Sequence, residues 1–167
     1  MKIINILSLA LCWLIVACSA KTETAQEAVA TSEEMVSQAE FNADSAYRNV
    51  KTQVDFGPRV PGMEGHDKCA KYLVSELKRY GVDTVIEQKT TVTAFNGDKL
   101  PINNIMGQIN KGAVTRVLLL AHWDTRPWAD NDPNPDNHKT PVLGANDGAS
   151  GVAVMIEIAR LLQSQPL

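Results

Sequence analysis

The sequence predicts an α/β fold in which an incomplete mixed sheet is flanked by helices. Three observations favour this class: an amphipathic helical pattern early in the folded part, strand-forming runs in its middle, and an apolar helical pattern at its end. A hydrophobic fraction of 44% permits a packed core. A net charge of -3 without a basic stripe gives no support to nucleic-acid binding, and three cysteines are too few for a disulfide scaffold.

The first 39 residues lack the composition of a folded domain. Lys2 and the apolar run 3–17 are typical of a secretion signal, because the run is too short to span a bilayer. Residues 15–18 (IVAC) resemble a bacterial lipobox, although Cys18 could also be incidental in an ordinary signal peptide. We therefore expect a lipoprotein signal peptide over 1–17 and a tether over 18–39. Lipidation of Cys18 would anchor the protein to a bacterial membrane in the cell envelope, facing the periplasm or the surface.

Two helices are expected at the start of the folded part. The first covers 44–55, with Tyr47, Val50 and Val54 at helical spacing, and Gly57 and Pro58 end it. The second covers 64–80 and ends at Gly81. Its apolar face consists of Cys69, Tyr72, Leu73, Leu77 and Tyr80, so Cys69 is expected to be a small buried residue.

Three strands and a last helix follow. Residues 84–93 and 104–110 are expected to pair antiparallel, with a turn at 96–98 between them. The continuous apolar run within 114–121 is typical of a central strand covered on both faces. Residues 148–162 form a helical pattern that only Glu157 and Arg160 interrupt, which predicts a helix buried between the sheet and another layer.

The candidate chemistry follows the predicted central strand. His122 and Asp124 lie at its carboxyl end, where α/β folds place their ligands, and Asp147 lies at the start of the last helix. An imidazole and a carboxylate can bind zinc, and Asp124 can hold the second imidazole nitrogen of His122. The alternatives are a helix N-cap for Asp147 and a simple turn at 146–148.

The long loop 125–143 contains four prolines, and loops of this length in compact domains are often functional. Its residues 130–134 (DNDPN) superficially resemble a calcium loop. Pro135 and Pro141 occupy the positions that require glycine and glutamate, so a calcium site is rejected. His66 and His138 are expected to be exposed rather than to bind metal.

Three stretches carry a resemblance to a known family. The sequence is similar to the zinc-dependent exopeptidase clan of aminopeptidases and, within it, to animal-type glutaminyl-peptide cyclotransferases (glutaminyl cyclases) and their Bacteroidetes lipoprotein relatives. The stretches are 56–62 (FGPRVPG), 122–130 (HWDTRPWAD) and 144–151 (GANDGASG). The second is the most specific, because general aminopeptidases rarely continue the His-x-Asp pattern in this way.

The resemblance implies a zinc-exopeptidase (phosphorylase/hydrolase-like) fold and zinc-assisted cyclisation of N-terminal glutamine to pyroglutamate, with release of ammonia. Asp147 resembles the aspartate among the Asp, Glu and His ligands of Zn²⁺. His122 occupies a position that binds metal in the two-zinc aminopeptidases and that the cyclases retain beside the site. Asp124 matches the catalytic carboxylate that orients His122. Trp123 and Trp128 are candidate walls of the substrate pocket, with loop packing as the alternative for each.

The resemblance also places the Glu and His ligands and the proton-transfer glutamate after the last helix. Residues 40–167 are therefore expected to be the N-terminal part of a catalytic domain, with one face of the last helix uncovered. Glu157 is not expected to replace the missing ligand, because it lies too far along the helix from Asp147. The expected partners are peptides with N-terminal glutamine and a membrane. The alternatives are a two-zinc aminopeptidase and a lipid-anchored module without catalysis.

Overall fold

A computed structural model describes residues 40–164 of the chain. In chain order its elements are the helices α1 (Ala43–Asp55) and α2 (Glu64–Arg79), the strands β1 (Thr84–Thr93) and β2 (Lys99–Gln108), a 3-10 turn (Pro135–Asn137), a π-helical turn (Ala145–Ser150) and the helix α3 (Gly151–Gln163). The α/β class is confirmed. The signal peptide predicted over 1–17, the lipidated Cys18 and the tether over 18–39 lie outside the described residues.

The first helix buries polar rather than apolar side chains. Asn42 caps α1, because its side-chain oxygen accepts from the Ser45 N–H at 2.8 Å. Tyr47 is 71% exposed, whereas Asn49 and Gln53 are buried. The Gln53 amide donates to the Ala149 carbonyl at 3.0 Å, which ties α1 to the turn before α3. The buried face of α1 therefore consists of polar groups, mostly hydrogen-bonded, and spacing of apolar residues alone does not predict it.

The hydrophobic core lies between α2 and α3. Cys69 and Leu73 from α2 pack with Val152 and Ile156 from α3. The predicted apolar face of α2 and the burial of Cys69, which is 0% exposed, are confirmed. Burial raises the pKa of the Cys69 thiol to about 12, so the residue serves packing rather than chemistry.

The two strands form an antiparallel hairpin in which Thr84 faces Gln108 and Thr93 faces Lys99. The pairing and the turn were predicted, but β2 begins at Lys99 rather than at 104. Pro101 made the start of this strand look like a loop, because proline cannot donate to a strand ladder. It is tolerated here because β2 has a free edge in the two-stranded sheet.

The predicted central strand over 114–121 is wrong for this structure. Within residues 40–164 the sheet contains only β1 and β2, and 114–121 has no regular secondary structure. Leu118 is 78% exposed and Leu120 is 82% exposed. A strand needs neighbours for its backbone hydrogen bonds, and this segment has none among the described strands.

The last helix begins later than predicted, at Gly151 rather than at 148. One side of α3 is buried, including Val152, Ile156 and Glu157, but Val154 is 44% exposed. The predicted burial between two layers is therefore wrong, and the predicted uncovered face is present.

None of the helices within residues 40–164 has the length and hydropathy needed to cross a bilayer.

Candidate functional site

The site is formed where the loop after 121 meets the turn before α3. His122 Nε2 lies 2.9 Å from Asp147 Oδ1, although the two residues are distant in sequence. On the other side of the ring, Nδ1 lies 3.4 Å from Asp124 Oδ1 and 3.2 Å from the Asp124 carbonyl oxygen. The structure therefore brings together the three predicted residues and places the imidazole between two aspartates.

A broken turn directs Asp147 toward His122. Gly144 is left-handed with φ 58°, Asp147 is extended with φ -85° and ψ 96°, and Gly148 has φ 99°. Because Ser150 rather than Asp147 precedes the first residue of α3, the N-cap alternative for Asp147 is excluded. The kink at 147–148 turns the aspartate side chain out of the helical path, so that its carboxylate is available for chemistry.

The site is open to solvent. The His122 and Asp147 side chains are 56% and 70% exposed. They line a pocket of about 200 Å³ whose walls include the aliphatic side chains of Val60, Pro61 and Leu100. A small ligand can therefore reach both polar groups across a partly apolar wall.

The two tryptophans do not line this pocket in the described part of the chain. Trp123 stacks on His66, with ring centroids 4.2 Å apart, and its indole N–H donates to the Asn103 carbonyl at 3.2 Å. Trp128 is 43% exposed, and its carbonyl accepts from Arg126. The contacts of Trp123 thus support packing, one of the two roles left open for it.

The other two histidines lie apart from the site. The predicted exposure of His66 is wrong: it is 5% exposed, since it is covered by Trp123, and burial lowers the pKa of its imidazole. His138 is half-buried, with Nε2 2.8 Å from the Asp132 carbonyl oxygen. The sequence around His66 predicts a helix but does not indicate that the imidazole is buried. The reason is that Trp123, which stacks on His66, lies in a distant loop.

Arg59 is a residue of the site that the sequence pattern did not indicate. This residue lies in the predicted stiff loop 56–62 but is 0% exposed. Its side chain donates hydrogen bonds to backbone carbonyls of both loops that form the site. The only signal in the sequence was an arginine set among proline and glycine residues in a motif stretch, where a charged side chain would ordinarily be expected in solvent.

The donors present fit part of a zinc-ligand set. His122 and Asp147 are adjacent, and Asp124 supports the other imidazole nitrogen, as carboxylates do for zinc-binding histidines. Catalytic zinc needs at least three protein ligands. Within residues 40–164 no group of three or more His, Cys, Asp or Glu side chains is arranged to hold a metal ion.

Comparisons with known proteins identify the relatives of this chain. The model of Peptidase family M28 matches residues 104–167. The crystal structure of Tannerella forsythia glutaminyl cyclase is 52% identical with a TM-score of 0.72, and the match covers 74% of this chain and 42% of that one. The predicted resemblance to glutaminyl cyclases of the zinc-exopeptidase clan is confirmed.

Two further relatives support the resemblance, one to the zinc-exopeptidase clan and one to the glutaminyl cyclases. The structure of a Zn-dependent exopeptidase from Parabacteroides distasonis is 50% identical with a TM-score of 0.74, and the match covers 76% of this chain and 43% of that one. The glutaminyl-peptide cyclotransferase of Bos taurus is 27% identical over 107 residues, which are 64% of this chain and 28% of the bovine protein. The chain thus spans less than half the length of these relatives.

Proposed function

We propose that the whole protein is a glutaminyl-peptide cyclotransferase that converts N-terminal glutamine to pyroglutamate and releases ammonia. The observation that carries the proposal is the meeting of His122 and Asp147, supported by Asp124, in a chain that is 52% identical to a glutaminyl cyclase over the matched part. The substrates are peptides whose first residue is glutamine.

We also propose Zn²⁺ as the cofactor, with Asp147 as a ligand and His122 beside it or as a second ligand. When bound, zinc supplies a Lewis acid that polarises a carbonyl group. Similarity to a Zn-dependent exopeptidase and the adjacent donors support this assignment. The Asp124 carbonyl oxygen, 3.2 Å from Nδ1, holds the imidazole in one orientation, and the Asp124 carboxylate lies beside it at 3.4 Å.

The reaction requires the substrate α-amine to attack its own side-chain carbonyl carbon. A C–N bond forms to close the ring, the bond to the side-chain nitrogen breaks, and the proton lost by the amine leaves on ammonia. The aliphatic side chains of Val60, Pro61 and Leu100 supply an apolar wall beside the polar pair. Covering of this open site in the whole protein would exclude water and favour ring closure over hydrolysis. The placement of Trp123 and Trp128 in the substrate pocket stays a prediction for the whole protein.

Ammonia release tests the function directly. The purified whole protein is expected to release ammonia from a Gln-initiated peptide, with a pyroglutamyl product in the mass spectrum and loss of activity on chelation. Asp147→Asn should reduce the rate about 100-fold or more, because it removes a carboxylate donor. Asp136→Asn, on the exposed 3-10 turn, is the matched control and should keep the wild-type rate.

Aminopeptidase activity is the second candidate, and similarity to a leucine aminopeptidase precursor from Bacteroides thetaiotaomicron, which is 51% identical over the matched part, favours it. Release of free N-terminal amino acids without ammonia, together with two zinc ions per chain, would replace the cyclase proposal. A protein with neither activity nor bound metal would instead support the non-catalytic module. The 167-residue chain by itself should be inactive, since residues 40–164 supply only part of a zinc-ligand set.

We further propose that the protein is a lipoprotein of the cell envelope, anchored to the membrane through Cys18. The lipobox-like residues 15–18 support this, because acyl chains on a single cysteine can hold a protein at a bilayer. Wild-type protein should incorporate labelled palmitate and sediment with membranes. A Cys18→Ala protein that is still labelled would contradict the anchor.

A further inference from the structure

Arg59 is a buried cation without an anionic partner. Its side chain is 0% exposed, yet it forms no ion pair with any carboxylate in residues 40–164. Buried charges in proteins are usually paired, because taking an ion out of water is costly. An arginine in this position must therefore be retained by its hydrogen bonds.

Those hydrogen bonds go to neutral groups of three separate segments. The guanidinium donates to four backbone carbonyls, those of Gln53, Trp123, Leu143 and Gly144, at 3.3, 2.9, 2.8 and 2.8 Å. The backbone of Arg59 adds two contacts with Thr125: the Arg59 N–H donates to the hydroxyl at 2.8 Å, and the Arg59 carbonyl accepts from the Thr125 N–H at 3.2 Å.

Three of the four contacted carbonyls, those of Trp123, Leu143 and Gly144, belong to the two loops of the site. Trp123 lies between His122 and Asp124, so the bond from Arg59 Nε holds the backbone of that loop. Nη1 and Nη2 hold the other loop just before the kink that presents Asp147. One rigid planar group thus contacts both loops at once, and its fixed angles determine how far apart they lie.

We propose that Arg59 is a positioning residue that sets the separation between His122 and Asp147. The inference rests on the proposed function only in taking these two side chains as the functional pair. It holds equally for a cyclase and for a peptidase, because it concerns the geometry of the loops.

The close packing at Gly144 supports this role. A Cβ at Gly144 would lie 3.0 Å from Arg59 Nη2 and 2.6 Å from the Asp147 carbonyl oxygen. A side chain at position 144 would therefore clash with the guanidinium and with the turn that carries Asp147, so that only glycine fits against Arg59 here. Burial lowers the pKa of Arg59, while Cys69 and Asp124 act in the opposite direction.

Zinc affinity and amide hydrogen exchange in the whole protein test the proposal. Arg59→Lys keeps the charge but lacks the planar fork, so it should bind Zn²⁺ about 10- to 100-fold more weakly in competition with a chromogenic chelator. Backbone amides in 122–125 and 144–149 should exchange faster than in wild type. Arg79→Lys, which changes an exposed arginine paired with Glu76, should alter neither quantity.

Two further variants separate positioning from general stability. Leu73→Ala weakens the core and removes none of the hydrogen bonds of Arg59, so it should lower the unfolding temperature while keeping the wild-type zinc affinity. In Arg59→Ala, added guanidinium should restore part of the affinity, whereas ethylammonium should not.

The proposal would be overturned if Arg59→Lys bound Zn²⁺ as tightly as wild type and if the backbone amides of its two site loops exchanged at the wild-type rate. A loss of affinity in Leu73→Ala equal to that in Arg59→Lys would also overturn it. Neither readout uses a substrate, so a failure of the proposed cyclisation would leave this comparison intact. If wild type binds no zinc, the exchange rates of the two loops still decide whether Arg59 positions them.

Discussion

At the residue scale, Gly148 packs closely against the loop that carries His122 and Asp124. Its φ of 99° is unfavourable for any side chain, and a Cβ there would lie 3.1 Å from His122 Cε1. The same Cβ would lie 3.2 Å from the carbonyl oxygens of His122 and Asp124. The absence of a side chain at this position therefore allows the imidazole to reach Asp147.

The first prediction concerns Gly148→Ala. The substitution should cost about 1–2 kcal/mol of folding stability through left-handed strain and should also displace His122, lowering zinc affinity. Gly97→Ala is the matched control, because Gly97 has φ 92° but nothing within 4 Å of an added Cβ. It should show the stability loss alone. Urea unfolding and zinc titration measure the two effects, and equal zinc affinities in the two variants would refute the prediction.

At the element scale, Glu157 joins α3 to the start of α1. It is 0% exposed, its Oε1 accepts from the Asn42 N–H at 2.8 Å, and Arg160 donates to the same oxygen from Nε and Nη2 at 2.9 and 2.6 Å. Hydrogen bonding from Arg160 holds the pKa of Glu157 below its ordinary value, although burial acts in the opposite direction. These contacts agree with the expectation that Glu157 is not a metal ligand.

The second prediction follows from the sign of this pKa shift. Because the folded-state pKa is lowered, the carboxylate stabilises the fold above its ordinary pKa of 4.5, and the stabilisation is lost as the pH falls through the folded-state value. Glu157→Gln should therefore lower the free energy of unfolding by about 2 kcal/mol near neutral pH. The difference from wild type should shrink as the pH falls below 4.5.

Urea unfolding across that pH range measures the difference. Glu64→Gln is the control, since Glu64 is exposed and pairs only with Lys68 on the helix surface, and it should change stability little at any pH. A Glu157→Gln difference that is constant with pH would mean that packing rather than charge causes the loss.

At the scale of the whole molecule, one apolar surface stands out among the described residues. Val117, Leu118 and Leu120 are 85%, 78% and 82% exposed. Val117 and Leu118 line a groove of about 380 Å³ together with Ile105 from β2 and Ile158 from α3, and Leu120 follows them in the same segment. A contiguous apolar surface of this kind binds hydrophobic probes and promotes association.

The third prediction is that the 167-residue chain by itself binds a hydrophobic dye and self-associates through this surface. Leu118→Lys combined with Leu120→Lys should lower both dye fluorescence and the sedimentation coefficient. Tyr47→Lys, at an exposed aromatic residue on α1, is the control and should change neither. Unchanged dye binding in the double variant would place the apolar surface elsewhere.

Local pattern was sufficient for much of the fold. The amphipathic α2, the hairpin turn and the burial of Cys69 follow from periodicity and turn chemistry, which depend on neighbours in sequence. Local pattern was insufficient to predict the structure of 114–121. An apolar run indicates that a segment prefers burial, but a strand forms only where neighbouring strands are present to pair with it. The predicted exposure of His66 was wrong for a related reason, because Trp123, the side chain that buries it, is distant in sequence.

The sequence by itself determined the family resemblance and the candidate residues His122, Asp124 and Asp147, since short motifs state which chemical groups are available. Only the tertiary structure decided that His122 lies between the two aspartates, that Gly148 makes room for it, and that a buried arginine joins the loops. The physical reason is that Arg59 binds backbone carbonyls. Every residue type carries a carbonyl, so the sequence holds no record of which ones fold within reach of a guanidinium.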